Sequence, residues 1–171
     1  MAAELDRLAR EREEACEAAL STMQLEAAGQ LLRELRTYLS RQQDHRWIKG
    51  PVDKAIGLRR LEGGVDELDC PSVEFVSESR LEFTIRLEPR PPAWRIRQFR
   101  FHLYPPRHRD IGTLRIHLNP QRWHDSLRVP RCHFHVARGR ESGKAHIPFP
   151  VMNPLLMLHL ICEVIEPDFA D

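Results

Sequence analysis

The sequence has no run of 18 apolar residues, which excludes a membrane-spanning helix. Its four cysteines share no short spacing, so neither a zinc knuckle nor a disulfide framework is indicated. It also lacks a phosphate-binding glycine loop, a nucleophile elbow and a zinc-protease helix motif. Because Glu4, Asp6 and Glu11 stand where a secretion signal needs basic and then apolar residues, we expect a soluble cytoplasmic protein with reduced thiols.

Lysine is scarce, since only three of the 26 basic residues are lysine and the others are arginine. The net charge of +1 conceals an asymmetry: residues 86–144 hold 14 basic and four acidic residues, whereas residues 1–85 hold 12 basic and 17 acidic ones. Seven of the nine histidines lie between residues 102 and 146. Guanidinium groups suit bidentate contacts to phosphate, so this basic, histidine-rich region favours an anionic partner.

The length of 171 residues favours one compact domain, or one domain plus an appendage, and the apolar pattern divides the chain into three regions. Residues 1–47 are rich in helix formers and lack proline, which predicts a helical hairpin (3–20 and 22–44) or a single long helix. In the hairpin, Ser21 and Gln24 would form a capping box. Residues 48–71 contain glycine and proline breakers and are predicted as a linker, and residues 72–171 as an α+β domain.

Within residues 72–171 the apolar period changes from 3.6 to 2, as expected for strands with one buried face. Five such runs predict an antiparallel meander of about five strands, and Ile147 and Phe149 add a short edge strand. A closing helix is predicted from Pro154 to Ile165, capped by Asn153 and ended by Pro167. The predicted fold class is α+β, with helices packed on the apolar face of the sheet.

If Phe99, Phe101, Ile116 and Phe134 face the core, their neighbours face outward and combine imidazoles with guanidiniums. Cleavage of RNA without a metal needs imidazoles for proton transfer and cations for the charge that develops on phosphorus. We therefore expect catalytic roles for three residues: His117, His133 and His135. We expect nucleic-acid contacts from five others: Arg86, Arg100, His102, Arg115 and Arg131.

The His133-Phe134-His135 element supports a different use of the same face. Residues i and i+2 of a strand point to one side, so both imidazoles can converge on one ion. His117 or His146 would supply a third ligand, and the ion would be zinc or manganese. Solvated or packing histidines, catalytic histidines and metal-binding histidines all remain open from the sequence. The expected cofactor is accordingly none, or one of these two metals.

Two segments carry a family resemblance: Leu114-Arg115-Ile116-His117-Leu118-Asn119-Pro120 with His124, and Pro130-Arg131-Cys132-His133-Phe134-His135-Val136. They resemble the TumE-like proteins of bacterial toxin–antitoxin operons, in which a histidine- and proline-containing loop leads to a strand with an HxH element. The similarity covers about residues 80–166, with the motif itself in 113–150. His117 stands where that family favours an acidic residue. The resemblance implies growth inhibition and an RNA target.

The order of elements is similar to a second family, the ubiquitin-conjugating and RWD fold. A leading helix, a meander through Tyr104-Pro105-Pro106 and a C-terminal helix near Pro167 carry this likeness. The sequence has no His-Pro-Asn motif, and no cysteine follows the last strands where the catalytic thiol of that family lies. This resemblance implies an inactive relative that serves as an interaction module.

These observations lead to one preferred function and two alternatives. The preferred function is an RNA-directed toxin or small nuclease that acts through the basic, histidine-rich sheet face, with RNA rather than DNA as partner. The first alternative is a non-catalytic interaction module, or a subunit of a larger bacterial assembly, that binds protein or nucleic acid. Its N-terminal helices would then bind a protein partner or self-associate. The second alternative is a metal-dependent hydrolase that uses the HxH strand.

Overall fold

The computed structural model describes residues 2–44, 48–52, 55–109, 112–119, 130–137 and 146–170. The chain begins with two helices, α1 (Ala2–Thr22) and α2 (Ala28–Asp44), which are separated by the short strand β1 (Gln24–Leu25). Of the two arrangements predicted for this region, the structure therefore has two helices and not one. Residues 45–47 of the predicted helical region lie outside the described residues. Among the described helices, none is long and apolar enough to cross a membrane.

The predicted capping box at Ser21 and Gln24 is wrong. Helix α1 continues through Thr22, and the Ser21 hydroxyl donates a hydrogen bond back to the carbonyl of Ala18 at 2.7 Å. Gln24 instead pairs with Arg95 in the sheet. A serine hydroxyl that bonds within its own helix cannot cap the next one, so α2 begins six residues after Thr22.

Helix α2 packs its apolar stripe into the core of its own chain. Ala28, Leu31, Leu35 and Leu39 are each at most 3% exposed. They belong to one cluster with the apolar side chains of the sheet and of the C-terminal helix. Because these side chains are already buried, the stripe gives no support for self-association through α2.

One antiparallel sheet contains all nine strands that the described residues form. After β1 these are β2 (Ile48–Lys49), β3 (Gly57–Arg60), β4 (Asp66–Phe75), β5 (Arg80–Arg90), β6 (Ala93–Tyr104), β7 (Thr113–Leu118), β8 (Cys132–Ala137) and β9 (Ile147–Pro148). The strand order is β2-β4-β5-β6-β7-β8-β9, with β1 beside β6 and β3 beside β4. Strands β4 to β8 follow one another in space as in sequence, so the α+β class and the antiparallel meander are confirmed.

The predicted linker at 48–71 requires correction, because it contains β2, β3 and the first half of β4. Gly63 and Gly64 adopt positive φ angles of 73° and 77° and form the turn between β3 and β4. The glycines therefore mark a hairpin. The alternation of β4 is hidden in the sequence because Asp66 and Glu67 are both buried, where they pair with arginines of β3.

The apolar face of the sheet forms the core together with the helices. Leu81, Ile85 and Leu87 of β5 are fully buried. Phe101 of β6 stacks on Phe83, with ring centroids 5.2 Å apart. Since this face is closed by α2 and the C-terminal helix, the opposite face is the one free to carry polar side chains.

The C-terminal helix begins as predicted and ends later. Asn153 is the N-cap, and its side chain accepts a hydrogen bond from the backbone N–H of Leu155 at 2.8 Å. Helix α3 (Pro154–Leu160) runs through a π-helical turn (Ile161–Ile165) into α4 (Glu166–Ala170). The prediction that Pro167 ends the helix is wrong, because the chain stays helical through Ala170 after the π-helical turn.

Candidate functional site

The strand registers align the outward side chains of β5 to β8 in two rows across the sheet. In the first row Arg100 pairs with His117, and His117 with His133. The second row runs through four residues: Glu82, His102, Arg115 and His135. Successive residues of a strand point to opposite faces, so both rows lie opposite the buried core residues. We call this surface the histidine face, and define it by six residues: Arg100, His102, Arg115, His117, His133 and His135.

The four imidazoles of the histidine face contact one another. The Nε2 atoms of His102 and His117 lie 2.8 Å apart, so one ring donates its N–H to the other. The ring centroid of His117 lies 5.4 Å from that of His133 and 5.2 Å from that of His135. His117, His133 and His135 can each offer one nitrogen such that all three lie within 4.8 Å of one another. These three side chains could therefore hold a metal ion.

His146 joins the cluster from the segment that leads into β9. Its ring centroid lies 4.7 Å from that of His133 and 5.1 Å from that of His135. It is brought there because β9 pairs with β8, where His133 is opposite Pro148. From the sequence, His146 was only an alternative to His117 as the third metal ligand. The pairing of β9 with β8, which brings His146 to the cluster, cannot be read from the local sequence.

Two of the imidazoles are almost completely removed from solvent. The exposed fraction is 2% for His133 and 4% for His135. His133 Nδ1 lies 2.6 Å from the carbonyl oxygen of Pro130 and donates to it, which leaves Nε2 with a free lone pair. Neither ring nitrogen of His135 has a hydrogen-bond partner within the described part of the chain. Buried nitrogens without a partner are rare and point to a group that binds them.

Burial is the main cause of low pKa values throughout the cluster. It lowers the pKa of His117 to about 3, with further contributions from the neighbouring imidazoles and Arg100. It lowers the pKa of His135 to about 4, with contributions from His146, His133 and Arg115. The pKa values of His102 and His133 also lie below the usual range, again first because of burial. At neutral pH the imidazoles of His117 and His135 are therefore uncharged, so their nitrogen lone pairs can accept a hydrogen bond or bind a cation.

Arg100 and Arg115 of the histidine face have no carboxylate partner among the described residues. Arg100 is exposed and Arg115 is half-buried. Neither forms an ion pair with any residue that the structure describes. With its amide oxygen turned toward Arg100, Gln98 accepts hydrogen bonds from Arg100 Nε at 3.0 Å and Nη2 at 3.1 Å. Both arginines therefore keep donors for an anion.

The other two predicted nucleic-acid arginines are already engaged. Arg86 Nε donates to Glu67 at 2.6 Å, and that carboxylate is itself buried. The expectation that Arg131 contacts nucleic acid requires correction, because its side chain is buried. Its Nη1 donates to Glu13 at 2.9 Å and also to Glu17. Helix α1 supplies both carboxylates, so Arg131 fastens this helix to the start of β8 and does not contact solvent freely.

Sequence reasoning missed the carboxylates that occupy these arginines. Glu67 fell in the predicted linker, and Glu13 and Glu17 in a helix whose position relative to the sheet was unknown. Glu82, in the second row, accepts a hydrogen bond from the Tyr104 hydroxyl at 3.0 Å and pairs with Arg80 at 3.2 Å. The pairs that Glu67 forms with Arg86, and Glu13 and Glu17 with Arg131, join elements far apart in the chain, so no local pattern reports them.

Comparison of the chain with protein-family models, with curated proteins and with solved structures finds no match. The two family resemblances therefore stay predictions. Pro120 and His124 of the TumE-like motif lie outside the described residues, whereas its HxH strand is β8.

Proposed function

We propose that this chain is a nuclease that binds RNA and cleaves its phosphodiester bonds at the histidine face. The observation that carries the proposal is the position of the two free guanidiniums. Arg100 is the cross-strand partner of His117, and Arg115 precedes His117 by two residues on the same face of β7. A phosphate that is bound by both guanidiniums lies against the imidazole of His117.

The surrounding charge supports a polyanionic substrate. Residues 86–144 carry ten more basic than acidic residues. Two described acids of strands β4 and β5 are compensated by arginines: Glu82 pairs with Arg80, and Glu67 pairs with Arg59 and Arg86. No carboxylate of the described residues therefore cancels the positive charge of Arg100 and Arg115, which attracts a phosphate backbone.

RNA is favoured over DNA because it carries its own nucleophile, the 2′-OH, next to each phosphate. Cleavage needs an acceptor for the 2′-OH proton and positive charge for the phosphorane. The neutral imidazole of His117 is an acceptor, and Arg100 and Arg115 supply the charge. The leaving 5′-oxygen takes its proton from water, and the expected products are a 2′,3′-cyclic phosphate and a 5′-hydroxyl. The resemblance to TumE-like toxins agrees with this substrate and with growth inhibition in bacteria.

Cleavage of labelled single-stranded RNA by the full-length chain tests this proposal. We expect His117→Ala to lower the cleavage rate by about 100-fold or more, the range for loss of a proton-transfer group. The matched control is His159→Ala, which removes an imidazole that contacts Tyr38 on the helical side of the protein. It should cleave at the wild-type rate. A wild-type chain that leaves RNA intact, or cuts DNA of the same sequence equally well, would contradict the proposal.

A second function is favoured by the burial of His133 and His135. Side chains that are 2% and 4% exposed cannot touch a polymeric substrate directly. If neither contributes to chemistry, the face is a non-catalytic module that binds nucleic acid through Arg100 and Arg115. The same experiment distinguishes the two functions, because a module retains RNA on a gel without cutting it.

A further inference from the structure

We propose that His117, His133 and His135 form a binding site for one divalent metal ion of the zinc class. Two strands build the site: β8 contributes the i and i+2 pair, and β7 contributes His117 opposite His133. The binding itself is independent of RNA, whereas the role given to the ion below rests on the proposed function.

The distances suit a zinc ion after small movements. Zinc lies 2.0–2.1 Å from imidazole nitrogens, which places tetrahedral ligand atoms about 3.3 Å from one another. The three ligand nitrogens already lie within 4.8 Å of one another. Each therefore has to move inward by less than about 1 Å, which small side-chain rotations on fixed strands can provide.

Each of the three imidazoles has a nitrogen that no described residue occupies. His135 is buried with both nitrogens unpartnered, and a metal bond accounts for this otherwise unfavourable burial. His133 donates from Nδ1 to the Pro130 carbonyl, which leaves Nε2 as its ligand atom. His117 bonds His102 through Nε2 and keeps Nδ1. A histidine ligand whose other nitrogen bonds a carbonyl or a second side chain is the usual arrangement at metal sites.

The chemistry of the three ligands indicates which class of metal ion the site binds. All three ligands are imidazoles, and no carboxylate joins the group among the described residues. Nitrogen-only sites suit zinc, copper and nickel, whereas magnesium, calcium and manganese prefer oxygen ligands. Manganese, an alternative from the sequence, is therefore disfavoured. His146 contacts the rings of His133 and His135 without joining the group, so no described residue fills a fourth position, which catalytic zinc sites keep for water or substrate.

The charge around the site assigns a role to that fourth position. Three neutral imidazoles leave the double charge of the ion uncompensated, and Arg100 and Arg115 add further positive charge. The site thus favours an anion, either hydroxide or the substrate phosphate. With the ion bound, both nitrogens of His117 are engaged, so a hydroxide held at that position would replace His117 as the acceptor of the 2′-OH proton and become water. The 2′-oxygen would then bond phosphorus as the bond from phosphorus to the 5′-oxygen breaks. A second water protonates the 5′-oxygen.

Zinc titration of the chelator-treated full chain, followed by calorimetry, tests the site. We expect one zinc per chain. Loss of an outer-shell partner weakens metal binding about 10- to 100-fold. We therefore expect His135→Ala and His117→Ala to weaken binding by more than about 100-fold, and His102→Ala by about 10- to 100-fold. His159→Ala, the matched control on α3, should bind zinc as the wild type does.

Folding and function are separated in the same samples. Circular dichroism and thermal unfolding in chelator show whether each variant is folded, and the half-buried His117 is the safer substitution if His135→Ala unfolds. The proposal is overturned if the wild type binds no zinc, binds manganese in preference, or binds zinc unchanged in folded His117→Ala. Stoichiometric zinc without RNA cleavage contradicts only the proposed function. RNA cleavage by the metal-free chain contradicts only the role given to the ion, because the zinc titration tests the binding site by itself.

Discussion

Replacing Arg100 and Arg115 together by glutamine is expected to weaken RNA binding at least about 100-fold without unfolding the protein. A hydrogen bond to a charged group contributes about 1.5–3 kcal/mol, which corresponds to about 10- to 100-fold in affinity for each arginine. Neither side chain has a carboxylate partner among the described residues, so its removal leaves no buried acid unpaired. Fluorescence anisotropy with labelled single-stranded RNA measures the change.

The salt dependence of the same measurement separates a direct contact from an indirect one. Each phosphate that is no longer neutralised lowers the slope of log affinity against log salt by about 0.7 for a single strand, so the double variant should lose about 1.4. The control replaces Arg10 and Arg41, two exposed helical arginines, by glutamine and changes the net charge equally. Equal losses in both double variants would show that only overall charge matters, against a site at the histidine face.

Phe101→Ala is expected to lower the free energy of unfolding by about 3–5 kcal/mol, the usual cost of removing a buried aromatic ring. Phe101 is fully buried, stacks on Phe83 and meets Phe99 edge-on at 5.6 Å. It lies at the centre of β6, directly before His102, so the core it fills also supports the histidine face.

Urea unfolding at neutral pH measures the effect of Phe101→Ala. The control is Val136→Ala, which truncates an apolar side chain that is 48% exposed on β8 and should change the free energy of unfolding by about 0.5 kcal/mol or less. If Phe101→Ala costs less than about 1 kcal/mol, the apolar face is not packed as described.

The meander was predictable because its strands obey one simple rule. Along β5, the alternate residues Leu81, Phe83, Ile85 and Leu87 are buried, and the polar residues between them face outward. Where this rule fails, prediction failed too. Asp66 and Glu67 are adjacent and both buried because arginines of β3 neutralise them, so the first half of β4 did not look like a strand. Pro167 was misread because a π-turn cannot be seen in local composition.

The histidine face was predictable where its strands follow the same alternation of buried and outward residues. Alternation placed His117, His133 and His135 outward, and the strand order of a meander then set them side by side. Alternation alone could not show that Arg131 is covered by α1, since the packing of a helix on a sheet edge depends on distant residues. It also could not show that His133 and His135 are buried, and this burial is why we propose that they bind a metal ion and do not contact the substrate.

Anomalous diffraction at the zinc absorption edge, from crystals of the full chain grown with one equivalent of zinc, tests the central claim most directly. We predict a single strong peak within bonding distance of His117, His133 and His135, on the sheet face that carries Arg100 and Arg115. The absence of a peak there, or a peak held by residues elsewhere in the chain, would contradict the account.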